Sequence, residues 1–311
     1  MTVIVRTLRP GSPSETAGFA RVRRACVPAM LATPASLAHD VSRSHPDAHY
    51  RQLIAVADDE VVGTAQVGIA YDSPRPGQGF ANVYVHPDHE NRGAGGLLLR
   101  TAEEHLARHG AREVFCWALD GERNLGWAAA HGYRPSRSAH FLRLDLAADG
   151  ALPPRAPLPA GVELRTGADY AADPRPLFAL DAETAADEPG DIATLLTDYE
   201  QWLADTWQHP LLDHALTSVA VVDGRPAAFT LAHTDGDGRY ASGMTGTGRA
   251  YRGRGLAKLA KNDSLHRARE AGMRVAYTGN DAGNAPMLAI NTWFGYTRDA
   301  KEIRHVRALD A

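Results

Sequence analysis

The chain has 311 residues, of which 44% are hydrophobic and 23% charged, and its formal net charge is -4 at pH 7. That balance excludes a protein whose affinity comes from neutralising nucleic-acid phosphates. No apolar run approaches the roughly 20 residues of a membrane helix, and the opening "MTVIVRTLRPG" lacks a signal-peptide core, so a cytoplasmic protein away from membranes is expected.

Cys26 and Cys116 have neither metal nor redox spacing and read as reduced thiols. Lysine occurs only at 258, 261 and 301 amid abundant arginine, alanine and glycine, a bias expected of a GC-rich bacterial genome.

In chain order, "VIVRT" reads as a first strand, followed by helical segments and strands up to the glycine loop "VHPDHENRGAGG". A helix leaves that loop and stops at Gly110, where a C′ glycine belongs because it takes the left-handed conformation without a Cβ penalty. The strand Glu113–Leu119, a last helix and a closing strand follow. Prolines in "AADGALPPRAPLPAG", Ala147–Gly161, favour an extended linker.

After it "VELRT" restarts the pattern. Strands Ser218–Val222 and Ala227–His233 are joined by the turn "DGRP", another strand ends near Thr247, and a helix begins around Leu256. Gly272 stops that helix before a strand at Arg274–Thr278.

The two halves repeat one another. Gly255 lies 162 residues after Gly93 and Gly272 lies 162 after Gly110, while "HGY" and "FGY" put Gly295 163 residues after Gly132. A near-constant offset through loop, helix, strand and final Gly-Tyr marks a duplicated α/β domain. The expected organisation is a domain at 1–146, a linker at 147–161 and a second domain at 162–311.

"RGRGLAKLAK", Arg252–Lys261, places two glycines and four basic residues at the start of a helix. The first N–H groups of a helix lack internal partners, its dipole favours a nearby anion by about 0.3–1 kcal/mol, and glycines let a phosphate approach the backbone. The alternative is a glycine-rich turn with a solvated basic face. Neither GxxxxGK[ST] nor GxGxxG is met, which argues against a nucleotide-phosphate binder.

What the loop resembles is the acetyl-CoA signature [QR]-x-x-G-x-[GA] of the GNAT superfamily of N-acetyltransferases. Arg252, Gly253, Arg254, Gly255, Leu256 and Ala257 meet every position. "TGT" at Thr245, Gly246 and Thr247 corresponds to the strand that holds pantetheine. "TGNDAGNAPMLAINTWFGY" resembles the segment closing the coenzyme site, which implies that Asn280 and Asn284 bond the coenzyme arm.

The resemblance covers nearly the whole chain as a tandem pair, each half a mixed, V-splayed central sheet flanked by helices. In the first half Val85, Gly93 and Gly95 match, but Glu90 stands where Arg or Gln is expected and should weaken coenzyme binding unless it turns away. The second half is therefore expected to be the active one. Lys258 and Lys261, three apart on one helix face, are expected to meet the ribose phosphate; the alternative is a solvated face.

The implied function is acyl-CoA-dependent N-acylation, with acetyl-CoA as donor and a small-molecule amine as acceptor. The alternative is a non-catalytic acyl-CoA-binding or sensing protein. The family's tyrosine acid is replaced by Asn291 in the second half and Ala128 in the first, and its glutamate base is missing from "YASGMTGT". Asn291 is expected either to donate a hydrogen bond to the departing thiolate or to make a structural contact. Tyr240 and Tyr277 are substitutes for the base, with ordinary packing as the alternative.

The 14 histidines are read as scattered, with no HxxxH or HExxH pair placed on an evident helix, so no metal is expected. Between Pro176 and Gly224 there is no lysine or arginine, while Asp181, Glu183, Asp187, Glu188, Asp191, Asp198, Glu200 and Asp205 supply acid. Asp187 and Glu188 are the expected contacts for a cationic acceptor. The alternative is that these acids merely solvate helices.

Overall fold

The computed structural model describes residues 2–155, 157–193 and 195–309. Two compact units appear: Met1–His140 with Ala300–Ala311, and Phe141–Asp299. They are not the two halves of the sequence, because each half gives the end of its last strand to the other unit.

The first unit contains β1 (Ile4–Thr7), α1 (Pro13–Cys26), α2 (Pro34–Arg43), β2 (Arg51–Ala57), β3 (Glu60–Ile69), β4 (Gln78–Val85), α3 (Ala94–Arg108), β5 (Glu113–Leu119) and α4 (Glu122–Ala130). Strands β1 to β4 are successively antiparallel, and β4 runs parallel to β5. Ala94, Leu98, Ala102 and Leu106, four apart along α3, are all buried against the sheet, the spacing that puts one helix face inward.

β6 (Arg134–Asp145) starts in the first unit and finishes in the second. The second unit continues with β7 (Val162–Thr166), α5 (Arg175–Ala185), α6 (Tyr199–Trp202), β8 (Ser218–Val222), β9 (Arg225–Thr234), β10 (Arg239–Thr247), α7 (Leu256–Glu270), β11 (Val275–Asp281) and α8 (Ala285–Trp293). Its strands β7 to β10 are again antiparallel, with β10 parallel to β11 and β6 beside β11. β12 (Thr297–Ala308) then completes the first unit's sheet, antiparallel to β5 from Glu302↔Leu119 to Ala308↔Glu113.

The strand assignments from sequence hold closely, with Ser218–Val222, Glu113–Leu119 and the start of α7 at Leu256 all found where expected. Gly110 and Gly272 have φ of 82° and 85°, the left-handed backbone that makes glycine the economical choice for a helix stop. No described helix is long and apolar enough to cross a membrane.

Candidate active site

The parallel ladder between β10 and β11 runs from Arg239↔Val275 to Ser242↔Thr278 and stops there. At the same level β10 slips register against β9, between Ser242 and Thr245. A bulge of this kind bends its strand and increases local twist, and the two strands part. The gap is a cleft of about 850 Å³.

β10 supplies Ser242 through Thr247 to one wall and β11 supplies Thr278, Gly279 and Asn280 to the other, with α8 beyond. Gly246 is required on β10 because a Cβ there would lie 2.5 Å from the Thr184 hydroxyl of α5.

At the mouth, Gly253 and Gly255 have φ of 76° and 74°, and a Cβ on either would meet no atom within 4 Å. Glycine is needed for the left-handed turn, and the turn faces open space. Gly255 caps α7 with no side-chain hydrogen bond, so the first N–H groups of the helix are available to an anion. Leu256, Ala257 and Lys258 line the cleft at that point. The site fits a ligand with a phosphate at one end and a narrow arm passing between two strands.

Thr245, Gly246, Thr247, Arg252, Gly253, Gly255, Leu256, Ala257, Lys258, Asn280 and Asn284 are thus brought together on one cleft. Arg254 lies over the Tyr251 ring, 5.9 Å from its centroid. Asn284 also caps α8, its side chain accepting from the Met287 amide at 3.3 Å.

Several expectations are corrected. Lys261 does not reach a phosphate: it is fully buried, as are Leu256, Ala260, Leu265 and Ala268 of the same helix. Lys258 remains at the cleft, its Nζ 3.2 Å from the centroid of the Trp293 ring.

Asn291 is likewise fully buried. Its Oδ1 accepts from Lys261 Nζ at 2.7 Å and its Nδ2 donates one N–H to Asn280 Oδ1 at 2.6 Å, and it does not line the cleft, so it is not placed to meet a thiolate there. Tyr240 is buried against the Ser264 hydroxyl at 2.8 Å, and Tyr277 is buried as well; packing is the role the structure gives both.

Asp187 and Glu188 do line the cleft, but Asp187 is not waiting for a cation. It pairs with Arg249 at 2.8 Å and Arg252 at 2.5 Å, and these two guanidiniums hold its carboxyl well below the usual range. Glu183 accepts from the Arg249 amide at 2.5 Å, so the end of α5 clamps the loop leading to the signature. Asp181 is buried, accepts from the Trp202 indole at 2.8 Å, and is pushed up to about 6 by burial. It is part of the core and not of an acidic wall.

In the first unit β4 and β5 also pair for only three residues, Gln78↔Glu113 to Phe80↔Phe115. Val85, Gly93 and Gly95 line the resulting cleft, which is smaller at about 460 Å³. The Asn82 side chain crosses it, accepting from the Trp117 amide at 3.0 Å. The Cys26 thiol occupies the Val85 carbonyl at 3.2 Å. Glu90 turns its carboxylate to Arg123.

The residue 162 positions after Asn82 is Met244, whose side chain has no carboxamide oxygen for such a crossing. The second unit keeps open what the first unit stitches. No sequence pattern marked Asn82 or Cys26 for this role, since both act through folded neighbours.

One histidine pair with helical spacing does exist. His105 and His109 stand at the end of α3 with ring centroids 4.5 Å apart. Among the described residues, however, no group of three or more His, Cys, Asp or Glu could hold a metal ion.

The chain matches the Acetyltransferase (GNAT) family over residues 23–133 and again over 179–296. It is 33% identical over 227 residues to a protein of Kineococcus radiotolerans named mycothiol acetyltransferase, covering 69% of this chain and 70% of that one. A protein of the same name from Sanguibacter keddieii is 28% identical over 83% of this chain and 82% of its own. Among solved structures, a tandem GNAT protein from the clavulanic acid biosynthesis pathway superposes with a TM-score of 0.72 at 19% identity, covering 100% of this chain and 99% of that one. A GCN5-related N-acetyltransferase from Sphaerobacter thermophilus gives 0.70 at 23% identity, covering 98% and 95%. The repeated family match spans both units, and the chain accordingly belongs to the GNAT family as a tandem N-acetyltransferase.

Proposed function

We propose that the second unit transfers the acetyl group of acetyl-CoA to a primary amine of a small molecule. The observation that carries this reading is the alignment of the uncapped, glycine-led start of α7 with the gap between β10 and β11. The α7 amides hold the pyrophosphate, and the arm lies along β10, whose backbone groups have left the ladder at Ser242. The acyl end then sits deep in the cleft, where the strands meet.

The cleft offers no tyrosine or glutamate in the family's acid and base positions, so orientation carries the reaction. Holding an amine against a thioester in near-attack geometry is worth roughly 7–11 kcal/mol. The acceptor enters as the free amine, its nitrogen attacks the thioester carbon, the C–S bond breaks, and the ammonium proton leaves to solvent as the thiolate departs.

For the acceptor, the names of the curated relatives favour a mycothiol-related amine. Glu188, at the cleft wall, is the residue proposed to meet a positive charge on it; Asp187 is withdrawn from that role by its two arginines. Thiol release from acetyl-CoA is measured with a panel containing the non-acetylated precursor of mycothiol, amino sugars and polyamines. One of these amines is expected to release thiol in stoichiometry with its acetylated product. Release that no amine accelerates above hydrolysis refutes the reading.

A further inference from the structure

Lys261 poses a problem of cost. Lysine is almost never fully buried unless paired, and an apolar residue of similar volume usually serves stability as well or better. Here the ammonium has no solvent exposure, and its hydrogen-bond partners are two neutral oxygens: Asn291 Oδ1 at 2.7 Å and Thr278 Oγ1 at 3.4 Å. The Tyr296 ring centroid is 5.2 Å away. Burial pushes the amine down to about 7, a measure of what the site costs.

What the cation gains is direction. An ammonium can only donate, so the Asn291 carboxamide must turn its oxygen toward Lys261 and its NH₂ away. That NH₂ donates to Asn280 Oδ1 at 2.6 Å. The Asn280 carboxamide, its oxygen thus engaged, turns its own NH₂ outward, and Asn280 lines the cleft. Thr278 also lines the cleft; with its oxygen facing the ammonium, its hydroxyl proton is directed elsewhere. Reversing Asn291 would set donor against donor at Lys261 and acceptor against acceptor at Asn280, and reversing Asn280 would set its NH₂ against that of Asn291. Three elements, α7, α8 and β11, each contribute one member of the chain of bonds.

We infer that Lys261 is a positioning residue that fixes the polarity of an amide relay through Asn291, so that Asn280 presents an N–H donor to a carbonyl oxygen of the coenzyme arm. The inference rests on the proposed reading that the arm lies along β10 in the gap, where Asn280 faces it from the β11 wall. It gives Asn291, at the position where the family places a tyrosine, a task other than proton transfer.

Acetyl-CoA is titrated calorimetrically at pH 6, below the value of about 7 so that Lys261 carries its proton, into the full chain and into Asn280→Ala, Lys261→Met and the double variant, with thermal unfolding recorded for each. Asn280→Ala is expected to lose about tenfold in affinity, the worth of one hydrogen bond. Lys261→Met is expected to lose a similar factor without a fall in melting temperature, and the double variant no more than either alone. Asn291→Asp, which still accepts from Lys261 but has no N–H for Asn280, is expected to show the same loss and keeps the test available should Lys261→Met not fold. If Asn280→Ala is impaired while Lys261→Met and Asn291→Asp bind as the parent, or if the losses add, the relay is overturned and the coenzyme reading stands. If Asn280→Ala binds as the parent, the placement of the arm is overturned, and the relay with it.

Discussion

Asp187 holds Arg252 at 2.5 Å, so a residue expected to receive the acceptor instead anchors the first position of the acetyl-CoA signature. The same carboxylate takes Arg249 in a two-pronged contact, Nε and Nη2 each at 2.8 Å. Asp187→Asn should therefore weaken acetyl-CoA binding, by roughly two- to fivefold given the modest worth of exposed pairs, and the loss should shrink as salt is raised. Calorimetry at low and high ionic strength checks both. An unaltered affinity with a raised KM for the amine would return Asp187 to the acceptor.

Gly255 and Gly93 provide a matched pair. Both are left-handed, with φ of 74° and 84°, and a Cβ on either meets nothing within 4 Å. Aspartate at either position carries similar backbone strain, about 1–2 kcal/mol. Gly255→Asp should abolish acetyl-CoA binding by placing a carboxylate at the α7 amides, whereas Gly93→Asp should reduce stability comparably and leave affinity within about twofold. Greater damage to binding from Gly93→Asp would move the coenzyme to the first unit.

Asp181 links a buried carboxyl to acid behaviour. Burial raises it from 3.8 to about 6, so the folded chain binds a proton that the unfolded chain has released within that window. Its contribution to stability is full below pH 3.8 and is lost as pH rises through about 6. Asp181→Asn preserves an oxygen for the Trp202 indole and should be more stable than the parent at pH 7 by about 1–3 kcal/mol, with the difference vanishing toward pH 4. Urea unfolding of both chains at several pH values reads this directly; a variant less stable at pH 7 contradicts it.

Lys261 has the opposite sign. Its amine is lowered from 10.5 to about 7, so the unfolded chain holds the extra proton between those values. The stability associated with the neutral amine is present above pH 10.5 and is lost as pH falls through about 7. Relative to Lys261→Met, the parent should gain about 1 kcal/mol per pH unit between pH 7.5 and 9. A constant difference over that range would show that the lysine keeps its ordinary affinity for protons.

The sequence by itself determined the duplication, the α/β class, the start of α7 and the glycine loop, because these follow from short-range rules. Helix periodicity, a left-handed glycine and an uncapped helix start are properties of a few consecutive residues, and the 162-residue offset made each visible twice. Tertiary structure alone decided which groups are spent on one another. Nothing near Asp187 in sequence announces Arg249 and Arg252, more than 60 positions away, and helical spacing put Lys261 beside Lys258 although the packing of α7 sends one inward and leaves the other at the cleft. The exchange of β6 and β12 between units lies beyond local pattern for the same reason: a strand's sequence specifies which faces it buries, while its partner is chosen by the sheet edge that long-range folding brings within reach.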